Sequence, residues 1–469
     1  MSKTNPAVPI ATGTRSIRRG PSTAFARFTD PEVMEPILRE RLSPWFDRQE
    51  GSGKCAIEYA RYKTYLNPRS RSRSSLSVCY RLSVTGRETR DRDVLLYVKA
   101  YSDGRSRNEW DKVRPPHNTG PRAVRAVIHL PELDAIAWRF PHDPALPHLA
   151  EVMDPDRVRV HVPWELLPDR VPGPNLTVLS TTVAHYRPET RCTTRYDLRW
   201  NQARALDGLT LYGKTFKGEE GRAIYTRMQR LAQISREDPH SLRVPQPLAY
   251  TDVVKTIWQH AIDGPPLVQV IDTRNYQRYL DRVAKGLATI HKSDLSGSTA
   301  TTTADHLADS RKKSLKLAQA FPALVRPLHA LVRQLETGIP EPSRSDTLIH
   351  GDFQIRQLLT QGDDVVFLDF DECADGDPAQ DLANFVVSLH FHDFSARLVD
   401  AMSAALVASY RRVVDANLSP HRLDWHARVQ FLNKAYRAYL WHRPGVEQEV
   451  RRIINLAAGP TPFSARKCS

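Results

Sequence analysis

Between Leu348 and Phe385 the chain reads LIHGDFQIRQLLTQGDDVVFLDFDECADGDPAQDLANF, and its oxygen-bearing side chains are spaced for phosphoryl transfer. His350-Gly351-Asp352 comes first, an amide follows five residues after the aspartate at Gln357, and Asp369-Phe370-Asp371 closes the apolar run VVFLDF. Moving a phosphoryl group from a nucleotide to a hydroxyl needs one carboxylate to take the hydroxyl proton and other oxygens to hold magnesium across the phosphates. Asp352 suits the first task, Gln357 and Asp369 the second. Asp371 either assists the metal or bonds to the loop. Arg356 can neutralise the transferred phosphate, because a guanidinium holds two oxygens in a fork; the alternative is a solvated surface arginine.

These residues need a scaffold. A loop carrying Asp352 leads into the short strand QLL, a tight turn at QGDD follows, and VVFL returns the chain, a hairpin that puts Asp352 and Asp369 at neighbouring ends. Asp381 starts the apolar helix DLANFVVSLHF and reads as an N-cap.

This segment resembles the aminoglycoside phosphotransferase and choline kinase family, relatives of the protein kinases. The family patterns HGDxxxxN, IDF or IDxG, and GDPxxDLA stand here as HGDFQIRQ, LDFD and GDPAQDLA. The resemblance implies an α+β, protein-kinase-like two-lobed fold with a small β-rich N-lobe and a mostly helical C-lobe, and ATP and Mg2+ as cofactors. Upstream, VLSTTVAHYRPETRCTTRYDLRW reads as two strands around a turn at Pro188, LTLYGKTF as a third, and GRAIYTRMQRLAQI as a helix. The resemblance gives Lys214, on the third strand, to the nucleotide phosphates. It gives the backbone of His260, Ala261 and Ile262 to adenine, before Gly264-Pro265-Pro266 turns the chain into the next helices.

Three departures stand out. Gln357 replaces the family's asparagine and adds a methylene, so the metal or the backbone must shift. No glycine-rich loop joins the first two strands, leaving PETR, through backbone amides and Arg191, to meet the phosphates. The helix after Lys214 has no glutamate along its middle; Glu219 and Glu220 only precede or open it, so the lysine's carboxylate partner is unassigned.

Residues 1–177 exceed what such an enzyme needs, and they carry an internal echo. Tyr80 precedes Lys99 in VLLYVKAYSDG by 19 residues, and Tyr196 precedes Lys214 in LTLYGKTFKGE by 18. Trp138 precedes Asp143 by five residues, as Trp258 precedes Asp263. The expected organisation is a disordered basic tail (1–29), an amino-terminal α+β domain that caps the enzyme or duplicates its N-lobe (30–177), the nucleotide-binding N-lobe (178–267) and a helical catalytic C-lobe (268–469). SGSTATTT, residues 296–303, reads as a flexible surface loop.

Composition narrows the class. The 469 residues are 41% hydrophobic, enough for packed cores, and no apolar run approaches the roughly 20 residues of a membrane span. Five scattered cysteines without a CxxC pair argue against a zinc site and a secreted disulfide framework, so a cytoplasmic location is expected. His390 and His392 read as packing residues. GSGKC at 51–55 lacks the first glycine and the hydroxyl of a phosphate loop.

The net charge of +14 is uneven: residues 1–128 hold 25 Lys/Arg against 13 Asp/Glu, while 340–395 hold 12 acids against two bases. PRSRSRSS at 68–75 reads as a solvated loop, with an anionic partner as the alternative. No nucleic-acid motif accompanies the charge. The first 29 residues lack the apolar core of a secretory signal, an organellar transit peptide being the alternative.

The expected function is an ATP- and Mg2+-dependent phosphotransferase acting on a hydroxyl of a small molecule such as an aminoglycoside, sugar or amino alcohol. The acidic surroundings of the active loop suit a cationic acceptor. The rivals are a non-catalytic nucleotide-binding pseudokinase whose basic amino-terminal domain binds a partner, and a nucleic-acid-associated protein.

Overall fold

The computed structural model describes residues 25–41, 51–65, 73–85, 92–113, 126–167, 176–200, 208–297, 299–341, 347–414, 418–461 and 463. Helix α1 (Pro31–Arg41) precedes strands β1 (Gly51–Tyr65), β2 (Arg73–Thr85) and β3 (Arg92–Tyr101), helix α2 (Ser106–Val113), and strands β4 (Val127–Leu130) and β5 (Ala135–Arg139). A second set follows: β6 (Leu176–Arg187), β7 (Arg191–Trp200), β8 (Gly208–Phe216), helix α3 (Glu220–Glu237), β9 (Pro247–Thr251) and β10 (Thr256–His260). Both sets are antiparallel five-stranded sheets with the same order, β1-β2-β3-β5-β4 and β6-β7-β8-β10-β9.

The echo extends to register. Tyr80 pairs with Leu96, three residues before Lys99, and Tyr196 pairs with Leu211, three before Lys214. Lys99 lies opposite Ile136 and Lys214 opposite Ile257. The tryptophans do not correspond. Trp138 faces Tyr97, two positions from Lys99, whereas Trp258 faces Gly213, one position from Lys214. One step of register moves a side chain to the other face of a sheet, so equal Trp-to-Asp spacing does not make these residues equivalent.

One face of the first sheet, through Val78, Tyr80, Leu96 and Val98, joins a core with the carboxyl-terminal helices. Its other face, through Tyr97, Ile136 and Trp138, packs on Tyr196, Leu211 and Trp258 of the second sheet. Each such buried apolar side chain contributes about 1.5–3 kcal/mol. The expected disordered tail ends earlier than residue 29. Phe25 and Phe28 are fully buried, Tyr80 donates its hydroxyl to the Phe28 carbonyl at 2.6 Å, and Thr29 donates to the His442 carbonyl at 2.6 Å. Residues 1–24 lie outside the described residues, as do 68–72 of the basic stretch, whose last residues, Arg73, Ser74 and Ser75, form the start of β2.

The carboxyl-terminal half is helical: α4 (Tyr276–Lys292), α5 (Thr303–Ala320), α6 (Val325–Thr337), α7 (Pro378–Leu389), α8 (Ala396–Val413), α9 (Pro420–Trp441) and α10 (Val446–Ala458). Two small hairpins interrupt it, β11 (Leu348–Ile349) with β14 (Ala374–Asp375), and β12 (Leu358–Gln361) with β13 (Asp364–Phe367). The stretch expected as a flexible loop at 296–303 is tied down. Asp375 accepts the Thr301 N–H and donates its own N–H to Thr299, both at 2.8 Å, and Thr302 caps α5. The Ser/Thr richness there supplies cap and edge hydrogen bonds rather than freedom. No helix among the described residues is long and apolar enough to cross a membrane.

Candidate active site

The chain leaves β11 into His350-Gly351-Asp352. Gly351 has φ 83°, and a Cβ there would sit 2.0 Å from the Glu372 carbonyl oxygen, so only glycine lets the loop pass this close to its neighbour. Asp381 clamps the loop. Its fully buried carboxylate accepts the His350 N–H at 2.6 Å and the Gly351 N–H at 2.9 Å, with His291 Nε2 at 3.1 Å. His291 Nδ1 meets the Tyr410 hydroxyl at 2.6 Å. This corrects the expected cap: the N-cap of α7 is Asp377, which accepts the Ala379 N–H at 2.9 Å, while Asp381, one turn in, points back to the loop. His350 Nε2 donates to the Leu368 carbonyl at 3.0 Å, fastening the loop to the chain just before Asp369.

Asp352 therefore emerges from a fixed backbone. Arg437 of α9 reaches its Oδ1 at 3.1 Å, Gln354 Nε2 donates to the same oxygen at 2.7 Å, and Arg356 lies 4.0 Å from Oδ2. Lys434, one turn before Arg437, donates to Gln354 Oε1 at 2.7 Å. Burial pushes the Asp352 pKa up, but Arg437, Arg356 and Lys434 outweigh it and hold the carboxyl below its ordinary value, ionised at neutral pH. Burial, with Arg437 adding to it, brings Lys434 down to about 8. Gln357 is buried, its carbonyl oxygen accepting the Gln354 N–H at 2.9 Å and its amide nitrogen 3.5 Å from Asp352 Oδ2. One lone pair of that oxygen is taken by the Gln354 N–H, and the second is the one a metal would use.

Beyond β13, Asp369 adopts a left-handed conformation, φ 66°, uncommon for a residue with a side chain and typical of functional sites. Lys214 Nζ donates to Asp369 Oδ1 and Asp371 Oδ1, both at 2.7 Å, and Arg191 pairs with Asp371 and lies 3.9 Å from Asp369. The carboxylate partner of Lys214 is thus the Asp369-Phe370-Asp371 segment itself; Glu219 pairs with Lys255 instead, and Glu220 opens α3. Burial raises the Asp369 pKa, yet Lys214 and Arg191 more than reverse this and hold it well below the carboxylate range. Asp369 and Asp371 offer hard oxygen donors of the kind magnesium takes, and a third of the Asp369 side chain is exposed, so the residues fit the ion. Among the described residues no three His, Cys, Asp or Glu side chains gather as a metal site, so phosphate and water oxygens would complete the shell.

The β6–β7 turn, where a glycine-rich loop was missed, is held from the first sheet. Glu189, at φ 59°, pairs with Lys99 and lies 3.9 Å from Lys63. Asp143 accepts the Glu189 N–H at 2.8 Å and the Tyr186 hydroxyl at 2.7 Å. Arg191, leaving the same turn, thereby reaches Asp371. At the hinge, the N–H groups of His260 and Ala261 are engaged by the Gln246 and Thr210 carbonyls, at 3.3 and 3.1 Å. Gly264, φ 155°, lies where a Cβ would be 1.8 Å from the Thr360 carbonyl oxygen, fixing the hinge against β12.

The fold thus gathers Asp352, Arg356 and Gln357 on one side, and Lys214, Asp369 and Asp371 on the other. Sequence reasoning missed Gln354, Lys434, Arg437, His291 and the clamp of Asp381. Lys434 and Arg437 had a faint signal, two cations three residues apart in the otherwise aromatic and apolar run FLNKAYRAYLW.

Residues 218–416 match the model of the phosphotransferase enzyme family. No curated protein matches the chain. Among solved structures, it is similar to a thermostable mutant of aminoglycoside phosphotransferase APH(4)-Ia at 16% identity, over 61% of this chain and 97% of that one, with a TM-score of 0.44. It is similar to choline kinase from Cryptosporidium parvum at 9% identity, over 64% and 94%, TM-score 0.45. A complex of APH(2")-IIia with GDP and kanamycin is similar at 13% identity, over 64% and 97%, TM-score 0.45.

Proposed function

We propose that this member of the phosphotransferase enzyme family, matched over residues 218–416, transfers the γ-phosphoryl group of ATP to a hydroxyl of a small molecule. The observation that carries the reading is the fastening of the Asp352 loop to the chain just before Asp369, through His350 Nε2 and the Leu368 carbonyl at 3.0 Å. Asp352 stands on a clamped loop, and Asp369 with Asp371 stands 2.7 Å from Lys214.

In this reading Asp352 accepts the acceptor's hydroxyl proton as its oxygen bonds to the γ-phosphorus and the bond to the β-phosphate oxygen breaks, releasing ADP. Asp369, with Asp371, would hold Mg2+, which neutralises charge across the phosphates. Lys214 orients those two carboxylates and the phosphates. The hinge backbone at His260, Ala261 and Ile262 takes the adenine. Gln357 holds the loop through Gln354, and Arg356 borders the transferred group. Positioning and charge complementarity do most of the work.

Residues 30–177 act here as a brace. The first sheet repeats the N-lobe's order and register, but its lysine, Lys99, is taken by Glu189, so it fixes the phosphate-side turn instead of binding a second nucleotide.

The engaged carbonyl of Gln357 favours the pseudokinase as a second reading. One experiment separates the two: Mg2+-dependent ATP consumption against a panel of small alcohols, with Asp352→Asn alongside. Acceptor-stimulated turnover that falls about 10²- to 10⁴-fold in the variant, the usual effect of losing a general base, supports the enzyme. An Asp352→Asn protein with full turnover overturns the role given to Asp352, and nucleotide binding without turnover on any acceptor supports the pseudokinase.

A further inference from the structure

Several of the acids in the motif region are already engaged. Asp363 pairs with Arg278 and Asp364 with Arg243, each at 2.7 Å; Asp377 is held by Arg422 and by His426 at 3.2 Å; Asp381 holds the loop. The nucleotide side is balanced, Asp369 and Asp371 against Lys214 and Arg191. Around Asp352 the balance is different. Arg437, Arg356 and Lys434 share one carboxylate, and half-buried Lys434 meets two neutral groups, the Gln354 oxygen at 2.7 Å and the Phe391 ring at 5.4 Å. Arg437 and Arg356 are more than half exposed and so within reach of a ligand, and three cations around one carboxylate leave a net positive charge that an anion complements.

The helix supplying two of these cations also supplies a place for the rest of a ligand. Lys434, Arg437, Ala438 and Trp441 are spaced i, i+3, i+4, i+7 and so share one face of α9. Ala438 and Trp441 of that face line a cavity of about 350 Å³ together with Arg443, Gly445, Val446 and Glu449. Trp441 is roughly 6 Å beyond Arg437 along the axis, about the width of a sugar ring. The Arg443 guanidinium lies over Trp441 at 4.2 Å, while Glu449 is occupied by Arg452 at 2.9 Å. Tyr59 of the first sheet packs edge-on against Trp441 at 6.3 Å, so the amino-terminal unit supports that ring.

We infer that the acceptor is a small hydroxyl compound bearing an anionic oxygen group, a carboxylate or a phosphate, that Arg437 and Lys434 bind beside Asp352 while its ring or apolar part lies against Trp441. The inference rests on the phosphotransferase reading and replaces the cationic acceptor expected from the acidic motif region. Its rival assigns the same cations to the transferred phosphoryl group.

The test uses the full chain with Mg2+ and ATP and matched acceptors: one sugar in neutral, carboxylated, phosphorylated and aminated forms, each with wild type, Arg437→Gln, Arg437→Lys and Lys434→Gln. Expected is a kcat/KM at least about tenfold higher for an anionic form than for the neutral parent. Arg437→Gln should raise KM for that form about tenfold or more and leave KM for ATP within about twofold, with Arg437→Lys restoring part of the loss, since it keeps the charge but not the fork. The carboxylated and phosphorylated arms identify the group.

Preference for the neutral or aminated form overturns the inference and leaves the phosphotransferase standing. An equal fall in kcat for every acceptor overturns it in favour of the phosphoryl role. If nothing is phosphorylated, calorimetric binding of the same compounds decides: an anionic form bound by wild type and lost in Arg437→Gln upholds the site while the phosphotransferase reading falls, and no anionic form bound overturns both.

Discussion

Replacing Asp381 tests whether the loop geometry is what makes Asp352 competent. Its carboxylate is fully buried and accepts two backbone N–H groups, at 2.6 and 2.9 Å, besides facing His291 at 3.1 Å. Hydrogen bonds to a charged acceptor contribute about 1.5–3 kcal/mol each, and a buried donor left unpaired costs about 1–3 kcal/mol. Asp381→Ala strands both N–H groups and one imidazole nitrogen, so about 4 kcal/mol is expected, a large share of the roughly 5–15 kcal/mol that holds a domain together. Asp381→Asn keeps one acceptor oxygen and should lose about 2 kcal/mol, making it the variant in which function can be read.

The assay is paired: urea unfolding followed by tryptophan fluorescence for stability, and acceptor-dependent ATP turnover at a temperature where Asp381→Asn is folded. With one of the His350 and Gly351 N–H bonds lost in Asp381→Asn, Asp352 is held less firmly, and a displacement of about 1 Å costs on the order of 10²-fold in rate. KM for ATP should move little, because Lys214, Asp369 and the hinge touch Asp381 through none of their own hydrogen bonds. An Asp381→Ala protein within about 0.5 kcal/mol of wild type, or an Asp381→Asn protein with undiminished kcat, refutes the clamp.

Other perturbations follow the same reasoning. Asp143→Ala strands the Glu189 N–H and the Tyr186 hydroxyl, so about 2–4 kcal/mol of stability and a raised KM for ATP are expected, read by chemical unfolding and steady-state kinetics. Lys214→Met leaves Asp369 and Asp371 with Arg191 alone; the Asp369 pKa, held down by Lys214 and Arg191 in wild type, should rise, and the variant's turnover should decline with acid at a higher pH than wild type. In wild type the folded Asp352 and Asp369 values are depressed, so their stabilisation is fully present above the ordinary carboxylate pKa of 3.8 and is lost as pH falls through the lower folded values, which acid titration of unfolding would follow. Lys434 is cationic below about 8, so KM for an anionic acceptor should climb as pH rises through that value and stay flat in Lys434→Gln.

The motif half was legible because its chemistry is local. The loop, the β12–β13 hairpin and Asp369 lie within a short stretch, and turn residues such as Gly362 and hairpin periodicity fix their relation. Lys214 was legible for another reason, as a lysine on a strand at a set distance after a hairpin. What stayed hidden needed packing at long range. Lys434 and Arg437 meet the catalytic loop only because α9 lies across α7, and no spacing rule joins residue 437 to residue 352. Asp381 was misread because an acidic residue near a helix start has two local explanations, and the neighbouring Asp377 had already taken the cap. The tryptophan match failed for want of register, which a residue count cannot carry.

The two strand lysines show what decides the fate of a repeated site. Lys99 and Lys214 occupy the same register of the same sheet order, each opposite an isoleucine. Neither strand alone determines what the ammonium meets; the next unit packed on that face does. On β8 the next unit is the catalytic lobe, which offers Asp369 and Asp371, one of them a third exposed and open to exchange with phosphates. On β3 it is the second sheet, which offers Glu189 from a turn whose backbone Asp143 also holds. Closing the first lysine and fixing the second lobe's turn are therefore one event. That turn carries Pro188 and Glu189 where mobile glycines would serve a phosphate loop, so its order comes from the first sheet, and through Arg191 the same order reaches Asp371. The first sheet is thereby coupled to the Asp369 and Asp371 pair, since Glu189, which closes Lys99, and Arg191, which reaches Asp371, lie two positions apart on one turn.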